Sequence, residues 1–192
     1  MSPNVSETAT TRATLVNAPG RYRPDIERWA IVVGISDYQH KELNLKWAHR
    51  DAEEVHKLLL TPAGGSFAAD HIQLLVNEAA TTQAISRALR SFLKKPAKDD
   101  VVLIYFACHG GPDPDRPNNL YLLTHDTDPD DIAGTALPMR EIDLSLRENL
   151  LAERVVILAD TCHSAGIGGG IGRRSATVDA GVVNAYLDAL SA

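Results

Sequence analysis

Residues 155–166 read VVILADTCHSAG, and this stretch decides the fold that the sequence predicts. Its first four residues are apolar and mostly β-branched, a pattern typical of a buried strand in a parallel sheet. The strand runs into small and polar residues that include Cys162, one of the two cysteines of the chain. The sequence therefore predicts a thiol where the end of a sheet meets solvent.

A second stretch has the same organisation. Residues 101–107, VVLIYFA, form another apolar strand, which leads into the sequence CHGG at residues 108–111. Ligands of open α/β sheets bind at the carboxyl ends of the strands, because the loops there carry chemistry while the strands fix their positions. If the two strands are parallel neighbours, His109 and Cys162 meet at the same edge.

The rest of the chain alternates strand and helix patterns. Further strands are predicted at residues 29–35, 72–76 and 118–123. Helices are predicted from Leu43 to Leu60, from Thr81 or Thr82 to about residue 95, and from Pro138 to about Leu150. In the first helix the apolar positions are Leu43, Trp47, Val55, Leu58 and Leu59. This order predicts an α/β fold with a mostly parallel sheet, helices on both faces and right-handed crossovers.

Composition limits the class of protein. The chain has 192 residues, a formal net charge of −6 and a sequence pI near 5.6, and the mild acidity argues against nucleic acid as a partner. Two cysteines are too few for a disulfide framework, and neither a signal-peptide pattern nor a membrane-spanning apolar run is present. We therefore expect a cytoplasmic protein with one domain at residues 28–166, a flexible leader at 1–27, and a glycine-rich loop with a final segment at 167–192.

The paired motifs suit nucleophilic catalysis. A thiolate is a strong nucleophile, and an imidazole within hydrogen-bond reach raises the thiolate fraction and later protonates the leaving amine. The backbone N–H groups of Gly110 and Cys162 are candidates for an oxyanion hole, and removing one such donor typically costs roughly 2.7–4 kcal/mol of transition-state stabilisation. The residue types therefore favour an acyl-transfer site at the sheet edge.

The two motifs that carry His109 and Cys162 resemble those of a known family. His109-Gly110 after one apolar strand, and DTCHS at residues 160–164 after the next long strand, are similar to the catalytic segments of caspase-like peptidases, closest to the metacaspase and bacterial orthocaspase branch. His109 precedes Cys162 by 53 positions, in agreement with the separation of about 50 residues in caspases. The resemblance covers most of residues 28–166 and implies a caspase-like three-layer sandwich.

The resemblance also implies residue roles. Cys162 would be the nucleophile and His109 the general acid and base, with a thioester acyl-enzyme as intermediate. Asp51 and Asp160 match the acidic positions of the metacaspase specificity pocket, which implies cleavage of proteins after Arg or Lys, since carboxylates receive these cations well. Arg50 departs from the family pattern, and as a cation beside Asp51 it is expected to compete for that charge.

The family implies three further features. A second, smaller segment normally completes the sheet, so residues 167–192 correspond to an incomplete small-subunit region, and a regulatory or small-subunit domain is an expected partner in a longer protein. No cofactor is required. Calcium activates many metacaspases, and the acidic loop at residues 126–131 keeps calcium as an option, although such a loop is more often a solvated turn. Arg173 and Arg174, in the glycine-rich loop, form either a self-cleavage site or a solvated pair.

Two other classes of function compete with the peptidase. One is a zinc-binding module that uses Cys108, His109, Cys162 and His163, although adjacent residues of a strand face opposite ways and would not converge. A metal site is therefore not predicted. The other is a catalytically silent caspase-like domain that acts as an interaction scaffold in a larger protein. Cys108 alone is interpreted as a small buried apolar residue.

Overall fold

The computed structural model describes residues 26–113 and 115–163, with backbone only for Cys162 and His163. Its strands are β1 (Arg28–Gly34), β2 (Ile72–Val76), β3 (Val101–Pro112), β4 (Leu120–Leu122), β5 (Leu137–Pro138) and β6 (Arg154–His163). Its α-helices are α1 (Ala48–Leu60), α2 (Thr82–Ser91), α3 (Ile132–Thr135) and α4 (Met139–Asn149). Short 3-10 turns occupy Lys41–Leu43, Pro62–Gly64, Ala69–His71, Asn77–Ala79 and Phe92–Lys94. None of the helices in these ranges is long and apolar enough to cross a membrane.

The sheet is built on four parallel strands in the order β2-β1-β3-β6. β3 is the longest strand and continues past the end of β1, where its last residues pair antiparallel with β4, and β4 pairs with β5. The mostly parallel sheet that the sequence predicts is therefore confirmed. β4 lies within the strand predicted at residues 118–123, whereas β5 has only two residues and is too short to show a period in the sequence.

Helices cover both faces of the sheet, as predicted. Alternate residues of a strand point to opposite faces, and β3 shows this division clearly. Tyr105 and Ala107 belong to the apolar cluster under α1, whereas Ile104 and Phe106 belong to the larger cluster that contains residues of α2 and α4. The chain thus forms three layers, with the carboxyl ends of the parallel strands at one edge.

The structure corrects the predicted apolar face of α1. The helix begins at Ala48 and buries Ala48, Ala52 and Leu59, whereas Trp47 is 57% exposed and Leu58 is 52% exposed. The reason lies in β1, because a Cβ at Gly34 would overlap the side chain of Ala52 and lie 2.5 Å from the Ala48 carbonyl oxygen. The helix approaches the strand so closely that small residues, and not the large apolar ones, occupy the contact.

The ends of the other helices follow local hydrogen bonding. Thr81 caps α2, because its hydroxyl accepts a hydrogen bond from the Ala84 N–H at 3.1 Å. Thr82 is already helical, and its N–H donates to Asp126 Oδ1 at 2.9 Å. Pro138 lies just before α4 and belongs to β5, so the predicted helix starts one residue later than expected.

Candidate active site

The sheet register brings His109 and Cys162 together. Their Cα atoms are paired across β3 and β6, within a parallel ladder that runs from Val101 and Arg154 to Gly110 and His163. Neighbouring strands of a sheet lie about 4.7–4.9 Å apart, so the backbones of the two residues are adjacent at the carboxyl ends of their strands. The thiol of Cys162 lies outside the described atoms.

The imidazole of His109 is buried and oriented. His109 is 8% exposed, and its Nε2 lies 2.9 Å from the carbonyl oxygen of Leu43. A carbonyl oxygen only accepts hydrogen bonds, so this contact assigns the hydrogen of the neutral ring to Nε2. Nδ1 is then the ring nitrogen that can accept a hydrogen bond or a proton.

The loop at residues 36–45 holds the Leu43 carbonyl in place. The Tyr38 N–H donates to Asn44 Oδ1 at 2.9 Å, and the Leu45 N–H donates to the carbonyl oxygen of Ser36, also at 2.9 Å. Leu43 itself is 3% exposed and packs in the main apolar cluster. The loop is therefore closed by its own hydrogen bonds and anchored in the core, which gives the imidazole a rigid partner.

Tyr38 makes a second contact between this loop and His109. Its hydroxyl accepts from the His109 backbone N–H at 3.0 Å and donates to the Leu123 carbonyl oxygen at 3.4 Å. The two rings lie 5.5 Å apart between centroids. Burial raises the pKa of Tyr38 well above its ordinary value, so the phenol stays protonated. Neither Tyr38 nor Leu43 was predicted as a site residue. The available signal was a tyrosine in a polar turn directly after an apolar strand.

Asp51 and Asp160 approach a common neighbour. Asp51 lies in the first turn of α1. Asp160 lies in β6, where it is paired with Ala107 of β3. Burial raises the pKa of Tyr105, and the negative charges of Asp160 and Asp51 raise it further, so both carboxylates act on the same phenol. Both aspartates are exposed.

Arg50 does not neutralise this acidic pair. Its guanidinium lies over the ring of Trp47, 4.9 Å from the centroid. Within residues 26–113 and 115–163, no lysine or arginine forms an ion pair with Asp51 or Asp160. The expected competition of Arg50 for Asp51 is therefore wrong for this conformation, because neighbouring residues of a helix do not face each other.

Cys108 has the structural role that its sequence context predicts. It is 2% exposed and packs in the cluster on the opposite side of β3 from Tyr105 and Ala107. Burial raises the pKa of this thiol to about 12, so the thiol stays protonated and is a poor nucleophile near neutral pH. This placement counts against a zinc site that includes both Cys108 and His109.

The acidic loop at residues 126–131 serves the fold. The Asp126 carboxylate accepts from the Thr82 N–H and the Thr124 hydroxyl, both at 2.9 Å, and Asp131 caps α3 by accepting from the Gly134 N–H at 3.1 Å. In the part of the chain that the structure describes, no group of three or more His, Cys, Asp or Glu residues is placed to hold a metal ion. The carboxylates of Asp126 and Asp131 are thus engaged in a turn and a helix cap.

The remaining predicted site residues fall into two groups. Gly110 pairs with Leu122 of β4 and His163 of β6, and a Cβ added there would meet its nearest atom, Thr161 Cβ, at 3.6 Å, an ordinary contact. Packing therefore does not demand a glycine at this position. Arg173 and Arg174, together with the whole of residues 167–192, lie outside the described residues.

Comparison with known proteins adds independent findings. A family model described as Caspase domain matches residues 27–185. The crystal structure of protein GSU0716 from Geobacter sulfurreducens has 23% sequence identity and a TM-score of 0.57, over 72% of this chain and 51% of that protein. The chain thus spans about half the length of that protein, and the likeness concerns the fold. A search of curated proteins gives no match.

Proposed function

The chain belongs to the caspase-domain family of cysteine peptidases, and from this premise we propose that it is a metacaspase-type endopeptidase that cleaves proteins after Arg or Lys. The register pairing of His109 with Cys162 is the observation that carries the proposal. The Leu43 carbonyl, 2.9 Å from Nε2 of His109, supports it because the contact leaves Nδ1 as the proton acceptor. The proposed catalytic pair is therefore Cys162 and His109.

The proposed reaction has two halves. His109 takes the proton of the Cys162 thiol, and the thiolate attacks the scissile carbonyl carbon to form a tetrahedral intermediate. Collapse of that intermediate breaks the C–N bond, His109 protonates the leaving amine, and a thioester remains on Cys162. Water then attacks the thioester with His109 as base, which releases the carboxylic acid product and restores the thiol.

Backbone donors would stabilise the oxyanion of each intermediate. The proposed donors are the backbone N–H groups of Gly110 and Cys162, which lie at the end of the β3–β6 ladder, and donors of this kind act on the oxygen that becomes negative. Gly110 supports this assignment because a Cβ there would make only ordinary contacts. A glycine that packing does not demand is suited to the close approach of a substrate.

The acidic pair defines the proposed specificity. Asp51 and Asp160 both act on Tyr105, neither has an ion-pair partner among the described residues, and a guanidinium or ammonium would supply one. A charge-assisted hydrogen bond contributes about 1.5–3 kcal/mol, which corresponds to roughly tenfold to 150-fold in kcat/KM. The phenol of Tyr105, which is 9% exposed, would pack against the methylene groups of the bound side chain.

Charge-neutralising variants test the pocket. Asp51→Asn and Asp160→Asn should each lower kcat/KM roughly tenfold to 150-fold for peptides with Arg or Lys before the scissile bond. The rate of Cys162 alkylation should be unchanged. Asp143→Asn is the matched control, because Asp143 lies on α4 and is paired with Arg147 at 2.6 Å. Equal losses in all three variants, or none in the first two, would overturn the pocket.

A basic specificity would also apply to the chain itself. We propose Arg173 and Arg174 as self-cleavage sites, and the activity is proposed to need no cofactor, with calcium tested as an activator. A new amino terminus at Arg174 or Ser175, absent from Cys162→Ala, is the expected result. A wild-type chain that stays intact under conditions in which it cleaves peptides would refute the self-cleavage proposal.

A second candidate is a catalytically silent interaction domain. Within the described residues, Val156 and Leu158 of β6 are 45% and 47% exposed, and an exposed apolar strand favours contact with another segment or protein. In a longer protein, a regulatory or small-subunit domain would be the partner. Identical behaviour of wild type and Cys162→Ala in every assay would favour this candidate over the peptidase.

A further inference from the structure

We infer that Tyr38 is a positioning residue for His109, because its hydroxyl completes the hydrogen bonding of β3 at the point where the histidine lies. The inference rests on the proposed Cys162–His109 chemistry and adds a residue to it. Tyr38 is fully buried, and its hydroxyl contacts the histidine backbone and not the imidazole. The proposed role therefore acts through the main chain.

The backbone of β3 changes partners next to His109. Before His109 along the strand, the ladder with β1 ends where the Ile35 N–H donates to the Ala107 carbonyl oxygen at 2.9 Å. From His109 onward, the same edge of β3 pairs with β4, beginning where the Leu123 N–H donates to the His109 carbonyl oxygen at 2.9 Å. Since the N–H and C=O of a strand residue point to the same side, the His109 N–H faces the interval between β1 and β4.

The Tyr38 hydroxyl occupies this interval. It accepts from the His109 N–H at 3.0 Å and donates to the Leu123 carbonyl oxygen at 3.4 Å, so it joins β3 to the end of β4. In this interval, between the end of the β1 ladder and the start of the β4 pairing, the Tyr38 hydroxyl is the acceptor for the His109 N–H. The N–H that this hydroxyl binds belongs to His109, the residue whose ring must meet the nucleophile.

One loop thus holds both the main chain and the side chain of His109. Tyr38 contacts the main chain, and Leu43 contacts the ring at Nε2. The two attachments are tied together, because the Tyr38 N–H donates to Asn44 Oδ1, directly after Leu43. This arrangement fixes the imidazole relative to β3, and therefore relative to its register partner Cys162.

Tyr38→Phe removes the hydroxyl and retains the ring. A catalytic group displaced by about 1 Å can lose about 100-fold in rate, so we expect kcat to fall by about tenfold to 100-fold with KM changed less than about twofold. A second readout needs no peptide substrate. Alkylation of Cys162 by iodoacetamide is measured as a function of pH by peptide mass mapping, and it reports the thiolate that the imidazole stabilises. In Tyr38→Phe, the Cys162 thiol should lose its reactivity at acidic pH.

Trp29→Phe is the control for a general loss of stability. It removes the indole N–H that donates to Asp100 Oδ2 at 3.2 Å, at the opposite end of β1, and should leave kcat and the alkylation profile unchanged. Unchanged kcat and alkylation in Tyr38→Phe, or equal losses in Trp29→Phe, would overturn the positioning role. If Tyr38→Phe does not fold, 3-fluorotyrosine at position 38 weakens the acceptor and retains the ring, and an unchanged kcat with it would overturn the role equally.

His109→Ala separates this inference from the function on which it rests. If wild type and His109→Ala share one alkylation profile, the catalytic pair fails and the inference fails with it. If His109→Ala alone loses acidic reactivity while Tyr38→Phe keeps it, the pair stands and only the role of Tyr38 is overturned.

Discussion

Alanine at Gly34 should loosen the contact between β1 and α1. The added Cβ would overlap the side chain of Ala52 and lie 2.5 Å from the Ala48 carbonyl oxygen and 3.0 Å from His49 Cα. Two of these neighbours are helix backbone, which cannot yield by changing rotamer, so α1 must move away from the sheet. Because α1 carries Asp51, the displacement should also lower kcat/KM for basic peptides.

The size of the effect follows from two opposing contributions. Overpacking a core typically costs about 1–3 kcal/mol, whereas replacing glycine by alanine stabilises the folded state by about 0.4–1 kcal/mol through the unfolded chain. The free energy of unfolding should therefore fall by roughly 1–2 kcal/mol. At about 2–4 °C per kcal/mol for a domain of this size, Tm should drop by about 2–8 °C in a thermal unfolding experiment.

Gly111→Ala is the matched control for this prediction. A Cβ at Gly111 would meet only Leu123 Cδ1, at 3.9 Å, so its Tm should stay the same or rise slightly. If Gly34→Ala has the same Tm as Gly111→Ala and keeps full activity, the proposed tight contact between α1 and β1 is refuted.

The remaining predictions concern buried ionisable groups. Burial raises the pKa of the Cys108 thiol from 9.0 to about 12, so the unfolded chain releases this proton first and the free energy of unfolding should fall as pH rises through that interval. Denaturant titrations at roughly pH 8 and roughly pH 10.5 should show this fall, smaller in Cys108→Ala, and a flat profile would contradict it. Iodoacetamide should not label Cys108 in the folded chain near neutral pH, and labelling without unfolding would show that it is accessible. Asp100 is 3% exposed and accepts hydrogen bonds from the Glu27 N–H, the Ala97 N–H and Trp29 Nε1. Asp100→Ala should therefore lower the free energy of unfolding by roughly 3 kcal/mol, and an unchanged chemical denaturation midpoint would refute its role as a buried anchor.

The meeting of His109 and Cys162 at one edge of the sheet was predictable, because the two long apolar strands carry their polar residues at matching ends. His109 and Cys162 each follow such a strand, so a parallel pairing was enough to bring them into register. The apolar face of α1 was not predictable by periodicity alone. Its position depends on Gly34, because the lack of a Cβ there lets Ala48 and Ala52 pack directly against the sheet. Trp47 is then left exposed to solvent.

Tyr38 and Leu43 were missed for a different reason. They contact His109 across 71 and 66 positions of sequence, and the contacts depend on the path of one irregular loop. One of the two uses a main-chain carbonyl, which any residue type provides. Local sequence patterns therefore identify the strand ends that carry the site, while the groups that orient its histidine emerge only from the three-dimensional path of the chain.

Hydrolysis of matched fluorogenic peptides is the most direct test of the proposed peptidase. The peptides differ only in carrying Arg, Lys or Asp before the scissile bond, and wild type is compared with Cys162→Ala with and without calcium. We predict cleavage after Arg and Lys by wild type and none by Cys162→Ala. Absence of turnover, cleavage after Asp alone, or equal turnover in Cys162→Ala would contradict it.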